Sequence, residues 1–216
     1  AVLEGRRVLR SLRQSFGYLI AFHIPIIGIA LFQSFFLDTA VLLPIHIILM
    51  ELIVHPISAF VFDEPDLNVG PKRREFISRR SILASSFRGI LLTAVSLAIF
   101  YNMHGPPELR RGLSVLMLVV GNIGLLFSET GGIFSALKNP MVFRRSWIAS
   151  FILLGLAATL AYAPRMTTLF SLAQPAASEF ILICILGIFL GFLSSASKIK
   201  PKDIAQTTLD TRHTTT

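Results

Sequence analysis

The chain has 216 residues, 53% of them hydrophobic and 15% charged, where a soluble domain of this length carries about a quarter charged residues. The formal charge of +8 would suit a nucleic-acid binder, but the basic residues stand at the ends of long apolar runs and not on an amphipathic surface, so nucleic acid is excluded as a partner. The one cysteine, Cys184, lies inside an apolar run and rules out an internal disulfide or a multi-cysteine metal site.

In chain order, residues 1–15 form a basic stalk, 16–197 a membrane domain and 198–216 a Thr-rich tail expected to be disordered and cytoplasmic. Six apolar segments of near 20 residues, the length a bilayer core demands, cover about 16–37, 41–62, 82–101, 112–129, 147–163 and 180–196. Each is apolar all round, and helix is the default because an open sheet cannot satisfy its backbone in lipid. The fold class is therefore all-α and integral to the membrane, a six-helix bundle. The sixth segment has the shortest apolar core. The first two, joined by Asp38, Thr39 and Ala40 alone, form a tight hairpin.

Orientation follows from Lys and Arg. With the N-terminus in the cytoplasm, that side holds Arg6, Arg7, Arg10, Arg13, Lys72, Arg73, Arg74, Arg79, Arg80, Lys138, Arg144, Arg145, Lys198, Lys200, Lys202 and Arg212. The other holds Arg110, Arg111 and Arg165, a balance of sixteen to three with Arg88, near a helix end, uncounted. A cell-membrane protein with both termini cytoplasmic is expected, its first partner the lipid bilayer.

Polar residues inside these segments carry the chemistry. Glu51 is the carboxylate deepest in an apolar run, where insertion costs about 2.5–3.5 kcal/mol. His55 at i+4 and Ser58 at i+7 share its helix face. Pro56 has no N–H, so an α-helical count leaves the carbonyl of Leu52 without a donor. In the preceding segment His23 is followed by Pro25, which frees the carbonyl of Ala21 in the same way. Interrupted helices with polar groups near the midplane build ion sites in transporters. The plainer account is that Glu51 and His55 pair to hold helices together and the prolines are packing kinks. Asn122, mid-way along the fourth segment, is a further ligand candidate or an interhelical hydrogen bond worth about 0.6 kcal/mol. His46 points to another side and reads as a satisfied interfacial histidine. Ser114, Gly121 and Ser128 form a small-residue stripe, and Gly187 with Gly191 a G-x-x-x-G suited to close packing within the bundle. No H-E-x-x-H, Gly-rich phosphate loop or nucleophile elbow occurs, so no catalytic residue is assigned.

Several stretches resemble a known pattern. A-V-L-E-G-R-R at the start, H-I-P-I at His23–Ile26, L-P-I-H-I-I-L-M-E-L-I-V-H-P at Leu43–Pro56, F-D-E-P at Phe62–Pro65, R-G-L-S-V-L-M-L-V-V-G-N and A-P-R-M-T-T-L-F at Ala163–Phe170 resemble the C-terminal membrane domain of P-type cation-transporting ATPases, in particular a bacterial calcium-pump-like group. The resemblance implies that the six helices are equivalent to helices five to ten of a ten-helix transport domain. It also implies part of an ion-translocation pathway formed by the fifth, sixth and eighth helices. Carried over, the ion-binding candidates are Glu51 and His55, with His23 and Asn122, and Glu51 is the foremost metal ligand. Two departures stand out. The related group usually carries aspartate before the proline where this chain has His55. A hard cation wants carboxylate oxygen, whereas histidine favours protons, a softer metal or loss of transport. The D-K-T-G, T-G-E-S and G-D-G-x-N-D motifs are absent from the sequence, so no cofactor is expected in this chain. Mg and ATP would be used by the missing domains, and the expected partners are the transported cation and the missing N-terminal portion of the pump. The alternative is a non-catalytic multi-pass membrane protein, accessory or remnant, that keeps the fold without transport.

Overall fold

The computed structural model describes residues 2–63 and 79–196. Most of the loop between the second and third segments and the whole of the tail 198–216 lie outside the described residues. Helix is the regular structure throughout the rest. The elements are α1 (Val2–Phe36), α2 (Pro44–Leu49), a π-helical turn (Met50–Val54), α3 (His55–Ala59), a 3-10 turn (Phe60–Asp63), α4 (Arg79–Asn102), α5 (Pro107–Thr130), α6 (Ile133–Lys138), α7 (Arg144–Tyr162), α8 (Pro164–Leu169) and α9 (Ala177–Ala196). Stalk and first span are one helix, and α1 continues through Pro25.

Among the described residues five stretches are long and apolar enough to cross a bilayer: Ser11–Phe36, Pro44–Phe62, Ser81–Asn102, Pro107–Thr130 and Arg144–Tyr162. The sixth, Ala177–Leu193, is apolar but shorter, and it is the segment whose sequence signal is weakest. The arrangement is that of an all-α, multi-pass membrane protein. Its outer surface carries Leu83, Phe87, Phe151, Ile185 and Phe189, all exposed, a distribution suited to lipid and not to water.

Helix α5 is the axis of the bundle. Nearly all of its side chains are buried, and α9, α4, α7 and α1 pack around it. It starts at Pro107 in the first helical position, where the missing N–H is no loss. It stops at Gly131 (φ 149°) and Gly132 (φ 92°), whose N–H groups both reach the carbonyl of Phe127, at 3.3 and 2.7 Å. Only glycine takes such a backbone turn without strain.

Small residues set how closely helices approach, as expected where lipid gives no hydrophobic drive between them. A methyl group on Gly124 of α5 would lie 2.9 Å from Gly191 Cα and 3.0 Å from the Gly187 carbonyl of α9, so the G-x-x-x-G pair packs inside the bundle. Gly17, Ala21, Ile24 and Gly28 of α1 run along Ser85, Gly89 and Thr93 of α4 in the same manner.

The end of the bundle holding the α1–α2 hairpin is tied by side chains. Gln33 Oε1 accepts from the N–H groups of Val41 (2.9 Å) and Leu42 (2.8 Å), and its Nε2 donates to the Leu42 carbonyl at 2.9 Å. Arg111 donates to the carbonyls of Ala40 (3.0 Å) and Ser171 (3.1 Å). His46, fully buried, accepts from Leu43 N–H at 3.1 Å and its other ring nitrogen bonds the Phe170 carbonyl at 2.7 Å. Both of its nitrogens are used locally, as the sequence reading expects.

Candidate cation site

The second span is not one uniform helix. At Met50–Val54 it widens by one residue per turn, and the N–H of His55 bonds the carbonyl of Met50, five residues back. Single π turns of this kind are frequent at functional sites. The π turn ends just before Pro56, which opens α3 with no N–H to give, so the wide turn adjoins the carbonyl of Leu52 that an α-helical count leaves without a donor. Pro25 lies inside α1 without ending it. The Ala21 carbonyl faces α4, where a methyl on Gly89 would stand 2.8 Å from its oxygen, so this carbonyl serves the α1–α4 contact.

The π turn places Glu51 between two imidazoles. His23 Nε2 on α1 lies 3.2 Å from Glu51 Oε1, and His55 Nδ1 lies 3.6 Å from Glu51 Oε2. Three ligand atoms, one from each residue, fall within 4.8 Å of one another. The second histidine, thirty-two residues before the other, comes to the carboxylate because α1 and the second span are antiparallel arms of one hairpin. The rings are held by packing: Phe22 stacks on His55 with centroids 5.0 Å apart, and His23 meets His55 edge-on at 5.6 Å. His23 is fixed further by its Nδ1, which donates to the Leu19 carbonyl at 2.8 Å.

The cluster is open on one side. The side chains of His23, Glu51 and His55 are 35%, 36% and 27% exposed, on a surface where the neighbouring Ile48 and Leu52 are also exposed. A cleft of about 210 Å³ beside it is lined by Leu12, Ser15, Tyr18, Leu19, His55 and Phe62 among others. It leads from the stalk end of α1 to the His55 ring.

Asn122 is not a member of this cluster. Its Oδ1 accepts from the Tyr18 hydroxyl at 2.8 Å and its Nδ2 donates to Ser58 Oγ at 3.0 Å. All three residues are buried, so α1, α3 and α5 are joined by one internal polar network beside the His55 ring. Ser58 shares the face of Glu51 by spacing, but its hydroxyl goes to Asn122. Tyr18, which nothing in its apolar neighbourhood singles out, is the third partner.

A second ionisable pair lies within the bundle. Arg88 of α4 bonds Glu129 of α5, and Ser85 Oγ donates to the same carboxylate oxygen at 2.9 Å. The other oxygen sits 3.0 Å from where a Gly17 methyl would be, so glycine on α1 makes the room. Arg88 is 2% and Glu129 6% exposed. The signal for this pair was an arginine seven residues inside an apolar span, which is rare unless it is partnered.

Comparison with known proteins agrees with the fold. No curated protein sequence matches the chain. The sequence profile of the family described as cation transporting ATPase, C-terminus, matches residues 39–199, which takes in every membrane segment after α1 and includes Glu51, His55 and Asn122. With about three quarters of its length matched, the chain belongs to the family of cation-transporting ATPase C-terminal membrane domains.

Proposed function

We propose that this domain forms part of the ion-translocation pathway of a P-type cation pump, with Glu51 as the carboxylate that meets the ion. The observation that carries the reading is a carboxylate inside an apolar span, on a π turn, faced by imidazoles from two helices at 3.2 and 3.6 Å. Its open side supports the reading as well. A carboxylate one-third exposed on a face meant for lipid costs about 2.5–3.5 kcal/mol, and covering that face with further membrane helices removes the cost. The N-terminal portion of the pump is the proposed cover, and it would also bring the ATP and Mg chemistry. The stalk end of α1 is placed in the cytoplasm on the charge asymmetry, which makes the cleft beside His55 a cytoplasmic approach.

The test is Glu51→Gln in the pump reassembled with its N-terminal portion. Loss of ion-dependent activity with unchanged membrane insertion and yield is expected. If the variant keeps its activity and only its melting temperature moves, Glu51 is a structural pairing residue and the proposal fails.

A further inference from the structure

The geometry points to a cargo class for this site: a divalent transition metal of the Zn²⁺ or Co²⁺ kind, bound by His23, Glu51 and His55, in preference to Ca²⁺ or Mg²⁺. This inference rests on the cation-site reading above and selects among the three outcomes that a histidine before Pro56 leaves open.

The donor set comes first. Two imidazole nitrogens and one carboxylate suit zinc and its neighbours, whereas calcium takes six to eight oxygens and magnesium near-octahedral oxygen. Among the described residues these three are the one group of His, Cys, Asp and Glu that converges in this way. Ligand atoms bound at about 2.0–2.2 Å around a tetrahedral ion stand about 3.3–3.5 Å apart. Glu51 lies near that spacing from each histidine, 3.2 Å through Oε1 and 3.6 Å through Oε2, and one ligand atom from each of the three residues falls within 4.8 Å of the others. Three protein ligands with an open side is also the form of a site that must exchange its metal.

The tautomer of His23 is an independent observation. A carbonyl oxygen only accepts, so the 2.8 Å bond to Leu19 puts a proton on Nδ1. Nε2 then faces the Glu51 carboxylate either as a bare lone pair or as the second N–H of an imidazolium. Two lone pairs at 3.2 Å repel unless a cation lies with them. A histidine that donates one ring N–H to a backbone carbonyl and offers the other nitrogen to a site is the usual support of a metal-binding imidazole. A third convergent donor, His55 Nδ1, adds nothing to a proton shared between His23 and Glu51, but it completes a metal site.

The full chain in lipid nanodiscs is titrated with Co²⁺, whose visible absorption reports coordination geometry. Competition with Zn²⁺ and with Ca²⁺ follows. The expected result is a low-symmetry Co²⁺ spectrum that Zn²⁺ displaces and a hundred-fold excess of Ca²⁺ does not. His23→Ala, His55→Ala and Glu51→Gln should each weaken Co²⁺ binding by at least about 10-fold, with the helical circular dichroism retained. His55→Asp, which trades nitrogen for oxygen, should shift the preference toward Ca²⁺. Replacing His104 and His213 together should leave binding unchanged. Ca²⁺ binding that depends on Glu51 and ignores both histidines would overturn the metal class while leaving the cation site in place. A chain that binds Co²⁺ only through His104 or His213, or binds no divalent cation while Glu51→Gln still stops the reassembled pump, would overturn the metal class in favour of proton transfer. Activity of that pump indifferent to Glu51 would overturn the site itself.

Discussion

The buried pair of Arg88 and Glu129 gives the sharpest test of the packing. Replacing Arg88 by Met takes the ion partner from the Glu129 carboxylate, and replacing Glu129 by Leu leaves a guanidinium that already has no partner at Nε and Nη2 among the described residues. With side chains 2% and 6% exposed, solvent cannot rescue either charge, so each single change should cost about 3–5 kcal/mol. Changing both removes two charges and the unsatisfied donors together, and apolar replacements of buried pairs are commonly neutral or stabilising by about 1–4 kcal/mol. The double variant should therefore melt at or above the parent, although each single falls far below it. Cys184, the free thiol on α9, is a built-in reporter: a thiol-reactive dye in detergent gives the melting temperature of all four proteins. Additive losses, with the double variant as unstable as the two singles combined, would refute the pairing and with it the register of α4 on α5.

Three further outcomes are expected. Gly124→Ala drives a methyl onto the backbone of α9, whereas Gly155→Ala meets nothing within 4 Å. The gain in helix propensity is common to both, so the difference between them isolates the clash, about 1–3 kcal/mol, or roughly 2–12 °C in the same melting assay. Equal melting temperatures would contradict the α5–α9 contact. Cysteines introduced at Ala40, His104 and Gln174 should label from outside the cell and one at Asn68 only from the cytoplasm; external access at Asn68 would reverse the orientation. The isolated chain should neither hydrolyse ATP nor form an aspartyl-phosphate, because its sequence carries none of the phosphoryl-transfer groups, and turnover in a preparation free of other ATPases would refute this.

The composition of the chain determined its solvent. Long apolar runs with charge confined to their ends leave helices in a bilayer as the one economical solution, and the segment limits came within about five residues of the apolar spans, although α1 itself begins at Val2. Glu51 and His55 were legible as a pair because four residues is one helical turn, and His23 because proline marks where a helix is interrupted. What the spacing could not supply was partnership between segments. Whether His23 faces Glu51, or Asn122 faces Ser58, depends on the rotation and depth of one helix against another, and an apolar segment carries little amphipathic signal to set either. The same limit hid the pairing of Arg88 with Glu129, forty-one residues apart, until α4 and α5 are laid together. The π turn escaped for a related reason. An added residue per turn is not written in any one side chain; it arises where Pro56 cannot donate and the surrounding helices reward a wider turn. Local chemistry thus fixed which residues are costly in a membrane, and packing alone decided which of those costs are cancelled by a buried neighbour, as at Arg88 and Glu129, and which stay partly exposed, as at His23, Glu51 and His55.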